Sequence, residues 1–592
     1  MDEELLMLHG DKHIKTSVLL KRTWKYIKSE MPRFIGAIIL TIFYALANAF
    51  IPMLIQMLID LFKNEDPSKI VMSTILILTS GYLVFVCVLQ FIIYIQSMTL
   101  QKAGQNIIYR LRKEVFTHIE NMSINQFNEM PVGSLVTRVA TYTTNMSEFF
   151  TNSLNTIVRS VLMIISIYIV MAYYSWQLSL AMLGIIAIIF VITYIFTKMI
   201  HKNHKNAKKL SSILNAFLSE NLQGMRITQL FNRQKYKSEQ FFIENEELRV
   251  QRYKIVKIFA IYRPLISFIS IATIAMTFLL GVKLGLSAGA ITAFYIYENQ
   301  FFQPIQQLTD TIDKIQNALT ASERLFNLLD VKPHSQDKEN AVEIAHFKGK
   351  IEFKHVYFAY EKENWILKDV SFVINPGETA AFVGATGAGK TTILSLIVRN
   401  YTIQKGQILI DDIDINDIKV DCLRRAIGQM LQDVFLFSGT IKSNISLRDE
   451  TFTDQEIIDA CKYVNADSFI FKNEKGLDAE VSPKGENFSQ GQRQLLSFAR
   501  TILHKPDILI LDEATANIDT ETEKLIQNSL EKMKSIGTML IVAHRLSTIQ
   551  NADQIICLQN GEVVESGSHL ELLRKRGYYY KLYLLQFSND NK

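Results

Sequence analysis

The sequence predicts a polytopic α-helical membrane domain followed by an α/β domain holding a phosphate-binding loop. Three observations predict it. Long uncharged apolar runs fill the first half. A polar stretch at 332–340, containing Pro333, His334 and Ser335, separates them from strand-like segments. A glycine-rich turn then lies between an apolar strand and a helix. At 592 residues the chain has room for two or three domains. The formal charge of +5 is small for that length and comes with no dense basic stripe, which argues against nucleic-acid binding.

The apolar runs come first. A spanning helix needs about 20 mostly apolar residues. Residues 34–58 and 70–101 are free of charge. Residues 160–197 are uncharged and long enough for two spans, with a turn near Tyr174-Ser175-Trp176-Gln177. Residues 264–282 make a fifth span, and 284–308 a sixth interrupted by Glu298. Any one run could be a buried core helix; six together read as a membrane domain. The expected division is a cytoplasmic segment 1–33, a membrane domain 34–325, a linker 326–348 and a soluble domain 349–592.

Lysine and arginine set the orientation. They crowd before the first span, between spans two and three (Lys102, Arg110, Arg112, Lys113) and between spans four and five (Lys198, Lys202, Lys205, Lys208, Lys209). The positive-inside rule places those loops and both termini in the cytoplasm. Both loops exceed simple connections, and their helical patterning predicts spans that continue into the cytosol. Before the first span, Leu20, Trp24 and Ile27 share one helical face and Lys21, Lys25 and Lys28 the next, predicting an interfacial helix or, alternatively, a disordered basic tail. No apolar core with a cleavage site opens the chain, so no cleaved signal peptide is expected. The cysteines, Cys87, Cys422, Cys461 and Cys557, have no metal or redox spacing and are expected as free thiols. Glu298 has two readings: a carboxylate lining a transport path and favouring cationic or polar cargo, or an interfacial or cytosolic residue in a span of shifted register.

In the second half, Gly384-Ala385-Thr386-Gly387-Ala388-Gly389-Lys390-Thr391 has the P-loop spacing. Glycine lets backbone N–H groups approach a triphosphate closely, and the helix that follows points its positive end there. Lys390 is placed for the β- and γ-phosphates and Thr391 for Mg²⁺, with Thr392 beginning the apolar helix face. Residues 508–513 form an apolar strand ending in Asp512, placed for Mg²⁺, and Glu513, placed to polarise water. An acidic pair in that position can also be a helix N-cap. Residues 538–543 form another apolar strand, followed by His544.

Phe488-Ser489-Gln490-Gly491-Gln492 resembles the signature motif of ATP-binding-cassette (ABC) proteins, and with it the whole chain resembles an ABC exporter half-transporter. The resemblance implies a six-span exporter-type membrane domain fused to one α/β P-loop ABC nucleotide-binding domain, with ATP and Mg²⁺ as cofactors. By the same resemblance, Tyr360 stacks on adenine, Thr386, Gly387, Ala388 and Thr392 complete the nucleotide set, and Gln432 senses Mg²⁺. Asp519 follows the catalytic Glu513, His544 is the switch histidine, and Ser489, Gly491 and Gln492 meet the γ-phosphate of a second subunit. Gln126-Phe127-Asn128 with Gly133, and Glu220 with Gly224, match the exporter loops. Short helices at the loop tips are then expected to transmit motion.

Two departures stand out. Phe488 and Gln490 replace Leu and Gly of the usual signature, and Pro483 stands where exporters usually carry Glu. With Glu513 intact, the chain resembles one subunit of a bacterial heterodimeric multidrug exporter, a homodimer being the alternative. The implied cargo is an amphipathic compound, multidrug or lipid-like, moved across the cytoplasmic membrane. The alternatives are export of a specific peptide and a gated channel of the same fold. A soluble ABC ATPase is excluded by the six spans.

Overall fold

A computed structural model describes residues 13–64, 72–333, 337–360, 364–431, 433–512, 520–542 and 549–587. The chain folds as two compact units, residues 1–120 with 129–332, and residues 121–128 with 333–592.

The first unit is helical. Its elements are α1 (Thr16–Lys28), α2 (Met31–Ala49), α3 (Ile51–Asn64) and α4 (Met72–Glu120). The tip helix α5 (Ile124–Asn128) follows and belongs to the second unit. Then come α6 (Val132–Tyr174), α7 (Trp176–Gln223), the short α8 (Met225–Leu230), α9 (Gln234–Lys283) and α10 (Ala288–Asp330). Among the described residues, five stretches are long and apolar enough to cross a membrane: Met31–Asp60, Leu76–Glu120, α6, α7 and α9. The sixth long helix, α10, is diluted by Glu298, Asn299 and several glutamines, yet it packs into the same bundle. Phe294, Tyr297 and Phe301 bury themselves there against Ile167, Met171 and Met182.

The run at 34–58 forms two helices rather than one. Pro52 has no N–H to continue the ladder, and the chain breaks at Phe50. The Tyr297 hydroxyl donates to the Ala49 carbonyl at 2.8 Å and so satisfies an acceptor at that break. The expected turn near 174–177 is Ser175, whose hydroxyl caps α7 by accepting from the Leu178 N–H. Helices α4, α7 and α9 run unbroken for 49, 48 and 50 residues, the continuous extensions that patterning predicts. The basic segment before the first span is helix α1, not a disordered tail. It buries Leu19, Thr23 and Tyr26 and leaves Leu20 and Trp24 exposed on the apolar face read from sequence. Arg22 pairs with Asp330 of α10 at 2.7 Å.

The second unit is α/β. An antiparallel sheet runs in the order β2 (Trp365–Ile374), β1 (Ile351–Ala359), β4 (Lys405–Ile410), β5 (Ile413–Asp414). A six-stranded sheet runs β12 (Glu562–Gly567), β11 (Gln554–Gln559), β3 (Thr379–Gly384), β10 (Thr538–Val542), β9 (Ile508–Asp512), β6 (Ile427–Met430). The pair β7 (Gly439–Thr440) and β8 (Glu480–Val481) stands apart. Strands β11, β3, β10, β9 and β6 pair parallel with one another, while β12 closes the sheet antiparallel to β11, and their central residues are mostly apolar, as in strands covered on both faces. Alternate residues enter two cores. Ala381, Leu509, Ile541 and Cys557 face one; Phe382, Ile510, Leu540 and Ile556 face the other. The described cysteines are free.

Candidate nucleotide site and family

The site begins at the carboxyl ends of three adjacent parallel strands. Val542 of β10 registers with Phe382 of β3 on one side and Asp512 of β9 on the other. That brings the loop after β3 and the carboxylate ending β9 to one edge of the sheet, where ligands of open α/β sheets bind.

The loop after β3 leads into α11 (Lys390–Ile397). Gly387 and Gly389 have φ of +83° and +102°, which side chains rarely permit. A Cβ at Gly384 would lie 2.3 Å from the Leu558 carbonyl oxygen, so only glycine fits. Lys390 curls its ammonium across the loop and donates to the carbonyls of Gly384 at 2.8 Å and Ala385 at 3.1 Å. Ala385, Thr386, Gly387 and Thr391 are exposed, while Ala388, Gly389, Lys390 and Thr392 are buried. Open N–H groups, a bent loop, a helix N-terminus and an ammonium make a cradle that fits a polyphosphate.

Tyr360 stands beside it, its hydroxyl 3.1 Å from Thr392 Oγ1 and its ring half-exposed, open to stack on a base. Burial of the hydroxyl end raises its pKa above the ordinary phenol value. Sequence reading missed Tyr401, whose ring meets Tyr360 edge-on at 5.0 Å. Its hydroxyl accepts from Asn128 Nδ2 of α5 at 3.4 Å, so the tip helix α5 touches the nucleotide side of its own unit. A cavity of about 490 Å³ lies among Ser123, Asn125, Tyr360 and Tyr401. No local motif marks Tyr401; only the fold brings it to Tyr360.

The signature segment starts another helix, α12 (Gln490–Leu503). Ser489 is its N-cap: Oγ accepts from the Gln492 N–H at 3.2 Å, and Gln492 Oε1 accepts from the Ser489 N–H at 3.0 Å. Ser489 is exposed and Gly491 buried. Phe488, in place of leucine, packs against Phe469 with ring centroids 6.3 Å apart. Leu495, Leu496 and Phe498 enter one core and Ile393, Leu394 and Leu396 of α11 the other. The sheet therefore lies between the signature helix and the P-loop helix of one chain. Gln432, Glu513, Asp519 and His544 lie outside the described residues.

In the membrane unit Glu298 is completely buried. One carboxylate oxygen bonds the Thr277 hydroxyl of α9; among the described residues the other oxygen has no partner. It faces a neighbouring helix, not the outer surface of the bundle.

A bundle of long apolar helices joined to a P-loop α/β unit with an N-capped signature helix defines a membrane transporter driven by a cassette ATPase. Comparison with known proteins agrees. Residues 34–305 match the family described as ABC transporter transmembrane region, and 367–516 the family described as ABC transporter. The ABC transporter ATP-binding protein exp8 of Streptococcus pneumoniae is 36% identical, the match covering 96% of this chain and 97% of that one. The ATP-dependent lipid A-core flippase of Haemophilus influenzae is 34% identical over 99% of this chain and 100% of its own length. The solved structure of a bacterial Atm1-family ABC exporter with ATP bound aligns with a TM-score of 0.78 at 25% identity, covering 94% of this chain and 98% of that one. The chain belongs to the ABC transporters: it is an exporter-type half-transporter that binds and hydrolyses ATP.

Proposed function

We propose that the chain exports amphipathic compounds, multidrug or lipid-like, across a bacterial cytoplasmic membrane by alternating access. Both termini and the ATPase unit lie in the cytoplasm, with 34–325 as the translocation domain and 349–592 as the motor, joined by 326–348. The names of two relatives support the cargo class, the lipid A-core flippase above and the Bacillus subtilis protein YheH, named as a multidrug resistance ABC transporter and 37% identical over 89% of this chain.

One observation carries the mechanism: the sheet separates α11 from α12 within a chain. A γ-phosphate held at Lys390 therefore needs its Ser489 and Gly491 from a second half-transporter. The departures at Phe488 and Gln490 favour a non-identical partner; a homodimer is the second reading. In this arrangement Tyr360 and Thr392 hold the base end, and Gly384, Thr386, Gly387, Ala388, Gly389 and Lys390 hold the phosphates. Thr391 and Asp512 supply two oxygens, which suits Mg²⁺ arriving on the nucleotide with its own waters. Bound there, Mg²⁺ would supply charge neutralisation for the transferred phosphoryl group. Glu513 takes the proton of the attacking water, His544 steadies the γ-phosphate side, Gln432 couples the ion to the membrane unit, and Asp519 orders the segment after Glu513. Glu298 lines a polar part of the path when α9 and α10 part.

The test is ATP hydrolysis by the chain purified alone in lipid, beside Glu513→Gln. Loss of a general base should lower turnover about 10²–10⁴-fold. A wild type that is folded, binds ATP and does not turn it over indicates the missing, non-identical partner. A Glu513→Gln variant as active as wild type removes Glu513 from the mechanism.

A further inference from the structure

The cytoplasmic continuation of the helical unit borders an open cavity of about 1090 Å³ with a cationic wall. On α7, His201, His204, Lys205 and Lys208 line it, followed by Ser211, Ser212 and Asn215. These positions repeat every three or four residues and so form one face of an uninterrupted helix. Arg252 of α9 adds a further cation, and Gln316 and Asn317 of α10 add amides. No carboxylate belongs to the described lining. A full negative charge from Asp313, one turn earlier on α10, would still leave Lys205, Lys208 and Arg252 in excess.

Cations at the cytoplasmic ends of spans are ordinary. These differ in direction. Lys202 and Lys209 stand beside that face of α7 and do not line the cavity, whereas Lys205 and Lys208 do, and Lys208 Nζ donates to Asn317 Oδ1 of α10 at 3.4 Å. Depth matters too. The uncharged run of α7 ends at Thr197, one turn before His201, and the wall from His201 to Asn215 descends about 20 Å at 1.5 Å per residue. The cavity thus opens at headgroup level of the cytoplasmic leaflet and extends below it. Its size is that of a cavity for a drug-sized ligand.

Resting on the export reading above, we propose that this cavity takes the phosphate- or carboxylate-bearing headgroup of an anionic amphiphile, whose tail stays in the membrane. Lys205, Lys208 and Arg252 hold the anion, and the serine hydroxyls and the NH₂ groups of the α10 amides donate to it. Glu298 lies about 27 Å further up α10 and takes no part.

The test is binding of radiolabelled dodecyl phosphate, without nucleotide, to the full chain in phosphatidylcholine nanodiscs, with empty discs subtracted. Dodecyl phosphate should bind about tenfold more tightly than dodecyltrimethylammonium. The triple variant Lys205→Gln/Lys208→Gln/Arg252→Gln should weaken it about tenfold, and Lys202→Gln/Lys209→Gln/Lys254→Gln, with the same change in charge, should not. Should the first variant fail to fold, 0.5 M salt on wild type replaces it and must weaken dodecyl phosphate but not dodecyl maltoside. Equal loss in both triple variants, or equal binding of anionic and cationic detergents, overturns the site. Inorganic phosphate competing as well as dodecyl phosphate overturns the amphiphile. Because no nucleotide is present, failure here leaves the export reading standing, and an inactive ATPase leaves the binding result standing.

Discussion

At the scale of the residue, Glu298 is the side chain that stability alone explains least. It is 0% exposed, and among the described residues only one of its two carboxylate oxygens has a partner, the Thr277 hydroxyl. A buried polar atom left unsatisfied costs about 1–3 kcal/mol. Glutamine keeps the shape and the bond to Thr277 and removes the formal charge. Glu298→Gln should therefore raise the melting temperature of the purified chain while slowing transport or shifting its preference among cationic, neutral and anionic cargo. A variant with wild-type transport rate and unchanged preference would assign Glu298 to packing alone. Burial was the part hidden from sequence: polarity flagged the position, but whether it met a helix, a cavity or the interface depended on where Thr277 stands.

At the scale of the element, the C-terminal helices behave as a packing device with a charge state. The helix His569–Lys575 is capped by Ser568 and Glu571, and the helix Tyr578–Phe587 starts where Glu565 accepts from the N–H groups of Tyr578 and Tyr579. His569 Nδ1 lies 2.7 Å from the Tyr579 hydroxyl, and burial lowers the imidazole pKa below its usual value. Tyr579 is pushed up to about 12, first by burial. The folded state thus prefers neutral His569, while the unfolded chain takes up a proton near pH 6.5. That contribution is present above pH 6.5 and lost as pH falls below it through the lowered folded value. The melting temperature of the ATPase unit should fall between pH 7 and pH 5, and His569→Asn should show a smaller fall; equal falls would assign the acid sensitivity elsewhere. Nothing in the sequence pattern pairs His569 with Tyr579. By contrast the P-loop, strand β9 up to Asp512 and the Ser175 break were legible, because glycine geometry, buried apolar runs and capping hydroxyls act locally. The cationic face of α7 could also be read at its helical spacing, but the orientation rule explained the same lysines first. Only packing shows that one face turns inward.

At the scale of the whole molecule, the two tip helices differ. Helix α5 belongs with the ATPase unit of its own chain, and Asn128 reaches Tyr401. Helix α8 buries none of its residues; Ile227, Leu230 and Phe231 are 64%, 82% and 73% exposed. Three apolar side chains on one short helix and its C-cap gain by leaving water, at roughly 25 cal/mol per Å² covered. In the dimer proposed above, we predict that a second half-transporter covers this patch. Charges placed there should then separate hydrolysis from transport. Leu230→Glu with Phe231→Glu should leave ATP binding by the isolated chain unchanged, because the P-loop, Tyr360 and Tyr401 are untouched. In the assembled transporter in vesicles, the same pair should abolish cargo accumulation and remove any stimulation of ATP hydrolysis by cargo. Vesicles that accumulate cargo at the wild-type rate with both glutamates present would show that α8 stays in water through the cycle.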